Sequence, residues 1–382
     1  MTGLFINTIA TFALVVSFII VFRRLSARLE LIDCPDAVRK QHRGRIPLCG
    51  GIAIMLAFAL TSFFSHSVQD LGAPFWVALF LVTSLGVADD RHPLPAVVRL
   101  AVQIAVSVSL VRTLDIGMLS TGIPLLKPEM ELLPLLSVVG TLFVVGLMNA
   151  WNMLDGVDGL AGGAAAVALI WLMLVVASTS SMDISDPLGT LLVCLCGFLV
   201  FNMRSPLRVR ASIFLGDAGS MSLGLIAAYV ILVLATDATP VSFTSLLWIV
   251  VVPVTDTLSL IIRRVLAHRS PMSADRWHLH HLLIDHGFTP SSTTSTILIL
   301  SAVCGGVGYT GIRLTIPDEI MALGLVIFVG LHTVFVLVAT GRWKRTRIYN
   351  IGPAFRAKRA KVVNGASSNT LFEGSGNADV QR

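Results

Sequence analysis

The sequence predicts an all-α integral membrane protein with about eleven transmembrane helices and its functional groups on cytoplasmic loops and helix ends. Three observations carry that expectation: the composition, the length of the apolar stretches, and the one-sided placement of Lys and Arg. Of the 382 residues, 55% are hydrophobic and 13% are charged, with a mean hydropathy of +0.83. Soluble domains carry about 25% charged residues, so this chain has roughly half the usual charge. In lipid every backbone polar group must be paired within the protein, which leaves helices or closed barrels. Barrels are built from short alternating strands, whereas the apolar runs here are long.

A helix needs about 20 apolar residues to cross the hydrocarbon core. Eleven stretches qualify, near 3–22, 46–66, 73–88, 94–112, 132–150, 160–179, 187–203, 218–236, 241–262, 292–312 and 319–340, of which 73–88 and 187–203 are short. The first, "GLFINTIATFALVVSFIIVF", has no basic residue before it and Arg23 and Arg24 directly after it. A cleaved signal peptide has the opposite order, so this segment reads as a retained helix with its N-terminus outside.

That orientation can be tested by counting Lys and Arg. It puts 25 of the 28 on the cytoplasmic side: seven in 23–45, Arg91, Arg99, three in 204–210, four in 263–276 and nine after residue 341. Only Arg112, Lys127 and Arg313 fall on the other side. The C-terminus is therefore expected in the cytoplasm. Residues 1–341 read as one polytopic domain. Residues 342–382 read as a basic, partly disordered tail whose "RWKRTR" and "RAKRAK" runs lie against anionic headgroups rather than nucleic acid. The cysteines Cys34, Cys49, Cys194, Cys196 and Cys304 form no spaced framework, and no functional disulfide is expected.

On this map the acids collect at one face. Asp89 and Asp90 end the third stretch, Asp155 and Asp158 lie in "NAWNMLDGVDGL" between the fifth and sixth, and Asp217 opens the eighth in "IFLGDAGS". A single aspartate at a helix centre costs about 2.5–3.5 kcal/mol to insert. Two ionised carboxylates 4 Å apart repel by about 4 kcal/mol at an effective dielectric near 20. One such acid reads as a cap or a loop marker, but five on one face need a countercharge. Oxygen ligands favour Mg²⁺ or Mn²⁺, and Mg²⁺ typically takes one or two carboxylates plus substrate phosphates.

Asn149, Asn152 and Asp155 are spaced to share a face if the fifth helix runs that far. Gly216, Gly219 and Ser220 flank the start of the eighth helix, where free N–H groups favour phosphate. The loop 263–288 adds Arg263, Arg264, Arg269, His278, His280 and His281, donors suited to phosphate or to a nucleotide sugar. Asp256, in "PVTDT", is either a contact between helices or part of the site.

The motifs "ADDRHPL", "NAWNMLDGVDGL", "IFLGDAGSM" and "SPMSADRWHLHHLL" occur in the order seen in the polyprenyl-phosphate N-acetylhexosamine-1-phosphate transferases, which the chain resembles over roughly residues 30–290. The form of the histidine motif is typical of the bacterial branch that uses undecaprenyl phosphate and UDP-GlcNAc at the inner membrane to start O-antigen and common-antigen assembly. The resemblance implies that a UDP-N-acetylhexosamine and a lipid phosphate give a lipid diphosphate sugar and UMP, with Mg²⁺ or Mn²⁺. It implies Asp89, Asp90, Asp155 and Asp158 as active-site acids. It also implies Asp217 as the acid that binds the metal, Asp89 and Asp90 as a motif linked to metal, and the histidines as handlers of the nucleotide sugar; a carboxylate of the 155/158 pair, Asp155, is expected to help Asp217. One departure exists: the first motif is often Asp-Asp-x-x-Asp, and its last position here is Pro93.

The mechanism expected is in-line attack of the lipid phosphate on the β-phosphorus, with a covalent aspartyl route as the alternative. GalNAc, QuiNAc or FucNAc donors remain open, as does a homodimer. A secondary transporter is the rival class. It would place its acids near the midplane of repeated halves, and no such repeat is visible.

Overall fold

The computed structural model describes residues 2–33, 45–119, 133–179, 184–206, 208–236, 241–266, 268 and 278–350. Arg269, Arg276 and the tail beyond residue 350 lie outside the described residues. Two compact units divide the chain. Met1–Thr333 holds the helical bundle and the candidate site, and Val334–Arg382 is helical as far as Asn350.

The described chain is almost wholly helical. It runs α1 (Thr2–Leu25), α2 (Gly50–Phe64), α3 (Val68–Arg91), α4 (Ala96–Val111), α5 (Leu133–Leu154), α6 (Leu160–Thr179), α7 (Ser185–Asn202), α8 (Gly216–Thr236), α9 (Phe243–Leu247), α10 (Val251–Leu266), α11 (Leu279–Asp285), α12 (Pro290–Arg313) and α13 (Asp318–Asn350). One two-residue hairpin pairs β1 (Ile32–Asp33) with β2 (Ile46–Pro47). Nine segments among the described residues are long and apolar enough to cross a membrane. The protein is a multi-pass, all-α membrane protein.

The short segments are those expected only in part: α7, which carries the stretch 187–203, has 18 residues and is the shortest of the nine. The stretch 73–88 is the middle of the 24-residue α3, and the 15-residue α2 and 16-residue α4 are the ones that fall below spanning length. The physical reason is at Gly72 and Pro74. Gly72 takes φ +75° and ψ 153°, outside helical values, so α3 is two helical pieces joined at a kink, and the start expected at 73 falls at that break. Next to that kink the Leu71 carbonyl accepts from Tyr229 Oη of α8 at 2.8 Å. Tyr229→Phe is expected to cost about 0.5–1.5 kcal/mol, read as a lower unfolding midpoint in detergent with activity retained. The ninth stretch is also interrupted. A 3₁₀ turn, Trp248–Val250, separates α9 from α10, just ahead of Pro253, whose ring cannot donate to the preceding turn.

The organising element is α8. Its sequence is apolar all round, as a core helix must be, and every residue from Ala218 to Thr236 is buried. It packs against α2, α3, α5 and α6. Glycines let the backbones meet. A Cβ on Gly51 would lie 2.2 Å from Gly219 N, one on Gly86 2.3 Å from Ala218 Cα, and one on Gly224 2.7 Å from Leu147 O. The start of α8 is also tied to α2, because Gly50 and Gly51 N–H donate to the Phe214 and Leu215 carbonyls. The beginning of α8 is thus fixed against the ends of α3 and α5, where the acids lie.

Candidate active site

Four acids meet at the N-terminus of α8. Asp90, on the last turn of α3, accepts the Asp217 N–H at 2.8 Å and the Ala218 N–H at 3.1 Å. Asp155 lies beside the Gly216 N–H, which favours its charged form. Asp90 therefore occupies two of the amide groups at the helix start where the sequence suggested phosphate. Gly216 is at φ +74°, and a Cβ there would sit 2.6 Å from Asp90 Oδ2. Only glycine fits both the left-handed backbone and the approach of Asp90.

The Asp89 and Asp217 side chains lie against each other, close enough to share a proton. Asp89 is buried and accepts from Leu94 N at 2.6 Å and from Arg99 Nη1 at 2.5 Å. The same guanidinium stands 3.7 Å from Asp217 Oδ2. Asp217 Oδ1 accepts from Asn152 Nδ2 at 2.6 Å, and Asn152 also reaches Ser220 Oγ at 3.1 Å. Burial first, then the charges of Asp90 and Asp158, push the Asp155 carboxyl up to about 7, with the Gly216 N–H acting the other way.

Asp158 has separate partners. Its Oδ2 accepts from Arg204 Nε at 2.7 Å and from Ala211 N at 3.1 Å. Its main-chain carbonyl accepts from Thr294 Oγ1. Asn149 lies a turn deeper than Asn152 and donates to Gln103 Oε1 and to its own Val145 carbonyl, each at 2.8 Å. The structure therefore joins Asp89, Asp90, Asp155, Asp217 and Asn152 directly, and holds Asp158 and Asn149 through other groups. Arg263 and Arg264 are buried in the last turn of α10, with Arg263 Nε donating to the Ser259 carbonyl.

The histidine motif folds back onto the acid loop. A Cβ on Gly156 would lie 2.3 Å from His280 Nε2, so the backbone at Gly156 runs directly against that ring. His280 is 1% exposed, and its ring stands 5.5 Å from His278 and 4.3 Å from His281. Asp256 belongs with this group. Its Oδ2 accepts from His278 Nδ1 at 3.0 Å and its Oδ1 from Leu279 N at 2.9 Å.

Several residues of the site carry no local signal. Arg99 entered the sequence reading only as a charge, yet it bridges two of the acids. Arg204 pairs with Asp158 across 46 positions. Asn202 is buried and braces the acid loop, accepting from Gly159 N and donating to the Ile213 carbonyl. Asp33, buried on β1, adds its charge to the surroundings of Asp155.

The donor set can be tested against the expected cation. Among the described residues no group of three His, Cys, Asp or Glu side chains is arranged to hold an ion unaided. Asp89, Asp90, Asp155 and Asp217 nevertheless crowd together with one paired cation, Arg99. Two carboxyl groups in direct contact need a shared proton or a positive charge. Such a set suits an ion that takes one or two carboxylates and completes its shell with substrate phosphate oxygens.

Acids and histidines from distant stretches, gathered at one end of a membrane bundle, define a class: integral-membrane enzymes that handle phosphate esters. Residues 73–235 match the model of glycosyl transferase family 4. The undecaprenyl-phosphate alpha-N-acetylglucosaminyl 1-phosphate transferase of Yersinia pestis is 30% identical over 315 residues, 82% of this chain and 86% of that one. The proteins of the same name from Salmonella typhi and Haemophilus influenzae are each 28% identical, over 347 and 332 residues, covering 89% and 86% of this chain and 92% of each relative. The chain belongs to glycosyl transferase family 4.

Proposed function

We propose that this chain transfers N-acetylglucosamine 1-phosphate from UDP-GlcNAc to undecaprenyl phosphate, giving undecaprenyl-diphosphate-GlcNAc and UMP. The observation that carries this reading is the meeting of Asp90, Asp155 and Asp217 at the start of α8, with His280 against the same loop. Relatives bearing this activity in their names align over most of the chain. The reaction is placed at the inner face of a bacterial cytoplasmic membrane, with the N-terminus periplasmic and the C-terminus cytoplasmic. The one-sided Lys and Arg count supports that orientation, and nucleotide sugars are cytoplasmic substrates.

The chemistry is an in-line displacement. An oxygen of the lipid phosphate forms a bond to the β-phosphorus of UDP-GlcNAc, the bond to the bridging oxygen breaks, and UMP leaves with the electron pair. Because a phosphate monoester has a second pKa near 6, the nucleophile is already largely ionised at neutral pH. The protein's task is positioning and charge balance. Asp217 and Asp155 are the residues that would hold Mg²⁺ or Mn²⁺, which when bound neutralises charge on the diphosphate. Asn152 and Arg99 fix the Asp217 carboxylate between them. Asp89 and Asp90 orient Arg99 and the start of α8, and Asp158, held by Arg204, anchors the loop that carries Asp155.

The test is direct. Purified protein in detergent, given UDP-GlcNAc, undecaprenyl phosphate and Mg²⁺, is expected to release UMP only when both substrates are present. Chelation with EDTA is expected to lower the rate by at least about 10²-fold, with Mg²⁺ or Mn²⁺ restoring it. Full activity after chelation removes the cation from the scheme. UMP release with a GalNAc, QuiNAc or FucNAc donor but not with GlcNAc reassigns the sugar.

A further inference from the structure

Asp256 lies within α10, ten residues before the helix ends at Leu266, and is 3% exposed. The membrane bundle holds this carboxylate, and both of its oxygens are spent on the histidine motif, on His278 Nδ1 and Leu279 N. The short α11 would be capped as well by a serine or an asparagine. An imidazole is the partner that gives a reason for a carboxylate.

A carboxylate has no proton to donate, so His278 must donate through Nδ1, whether the ring is neutral or charged. The ring is thereby fixed in one tautomer and one orientation, with Nε2 as its remaining polar atom. The His278 ring is nearly parallel to that of His280, with 5° between the planes, and His280 lies on Gly156 of the acid loop. One chain of contacts runs from Asp256 through His278 and His280 to the loop holding Asp155.

We propose that Asp256 is the positioning residue of the histidine motif: it fixes His278 so that Nε2 is presented to the nucleotide-sugar donor. The inference rests on the donor and acceptor assigned under Proposed function. It gives Asp256 no direct contact with substrate, so its influence passes through His278.

The test uses the full-length protein in detergent. In Asp256→Asn the amide oxygen can still accept from Leu279 N, but the amide NH₂ then faces His278 Nδ1 and drives the ring proton to Nε2. The apparent KM for UDP-GlcNAc is expected to rise about 10-fold or more, with the KM for undecaprenyl phosphate unchanged within about twofold. The same substitution made in His278→Ala is expected to change nothing further, because the group it acts through is gone. Asp256→Ser keeps an acceptor for Leu279 N and gives up the imidazole. It serves, with the same outcomes, if Asp256→Asn does not fold. An unchanged donor KM overturns the proposal, and so does an equal loss in both backgrounds. If the unsubstituted protein releases no UMP, the transferase reading fails instead, and the two failures are told apart at the first measurement.

Discussion

Asp217→Asn is expected to cut UMP release by about 10²–10³-fold while leaving the unfolding midpoint unchanged or higher. The two effects share one cause. Asp217 is in side-chain contact with Asp89, its backbone N–H is held by Asp90, and Asp155 lies beside the adjacent Gly216 N–H. Asparagine keeps the shape, can still accept from Asn152, and can donate to Asp89 without the proton that two carboxyl groups in contact must share. The same change removes the carboxylate assigned to the cation. Loss of activity together with retained or improved stability is the usual trade at a site whose charges are held close for function. UMP assays and thermal unfolding of the same preparation check both halves. Activity within about twofold of the unsubstituted protein would take Asp217 out of the reaction.

Gly86→Val is expected to prevent the bundle from closing. A Cβ at Gly86 would meet Ala218 Cα at 2.3 Å and Ala218 N at 2.4 Å. These are backbone atoms of a helix packed on every side, so neither can turn away as a side chain would. α3 and α8 must separate, which costs about 3 kcal/mol or more and carries Asp89 and Asp90, one turn further along α3, off their partners. Gly146→Val is the control: nothing lies within 4 Å of its Cβ position on α5. Size-exclusion profiles in detergent should show aggregation for the first and a normal peak for the second.

Much of this arrangement was legible in the residues. Apolar length located each membrane helix, and the placement of Asp89, Asp90, Asp155 and Asp217 at helix ends marked one face. The shared face assigned to Asn149, Asn152 and Asp155 was only partly right. Each three-residue step on a helix turns the side chain back by about 60°, so Asn152 meets Asp217 while Asn149 meets Gln103 on α4. Asp155 lies past the end of α5 at Leu154, where helical spacing no longer applies. The pairings of Arg99 with Asp89 and Asp217, and of Arg204 with Asp158, were illegible because they are set by how helices pack. No periodicity in the chain encodes which of 28 basic residues turns inward. The stretch read as 46–66 is α2 from Gly50 to Phe64, because apolar residues such as Ile46 and Leu48 continue the run outside the helix, and the start read at 73 falls at the break that Gly72 makes in α3.

The enclosure of α8 bears on how the protein is made. A ribosome releases α2, α3, α5 and α6 before it releases Gly216, so the walls are in the bilayer before the pillar they surround. Until then Asp90 faces a gap without the Asp217 and Ala218 amide groups that hold it, while Asp89 already has Leu94 N and Arg99. The centre is assembled when the late helix slides into its slot, and an unfinished chain lacks Asp217 and the amide groups that hold Asp90.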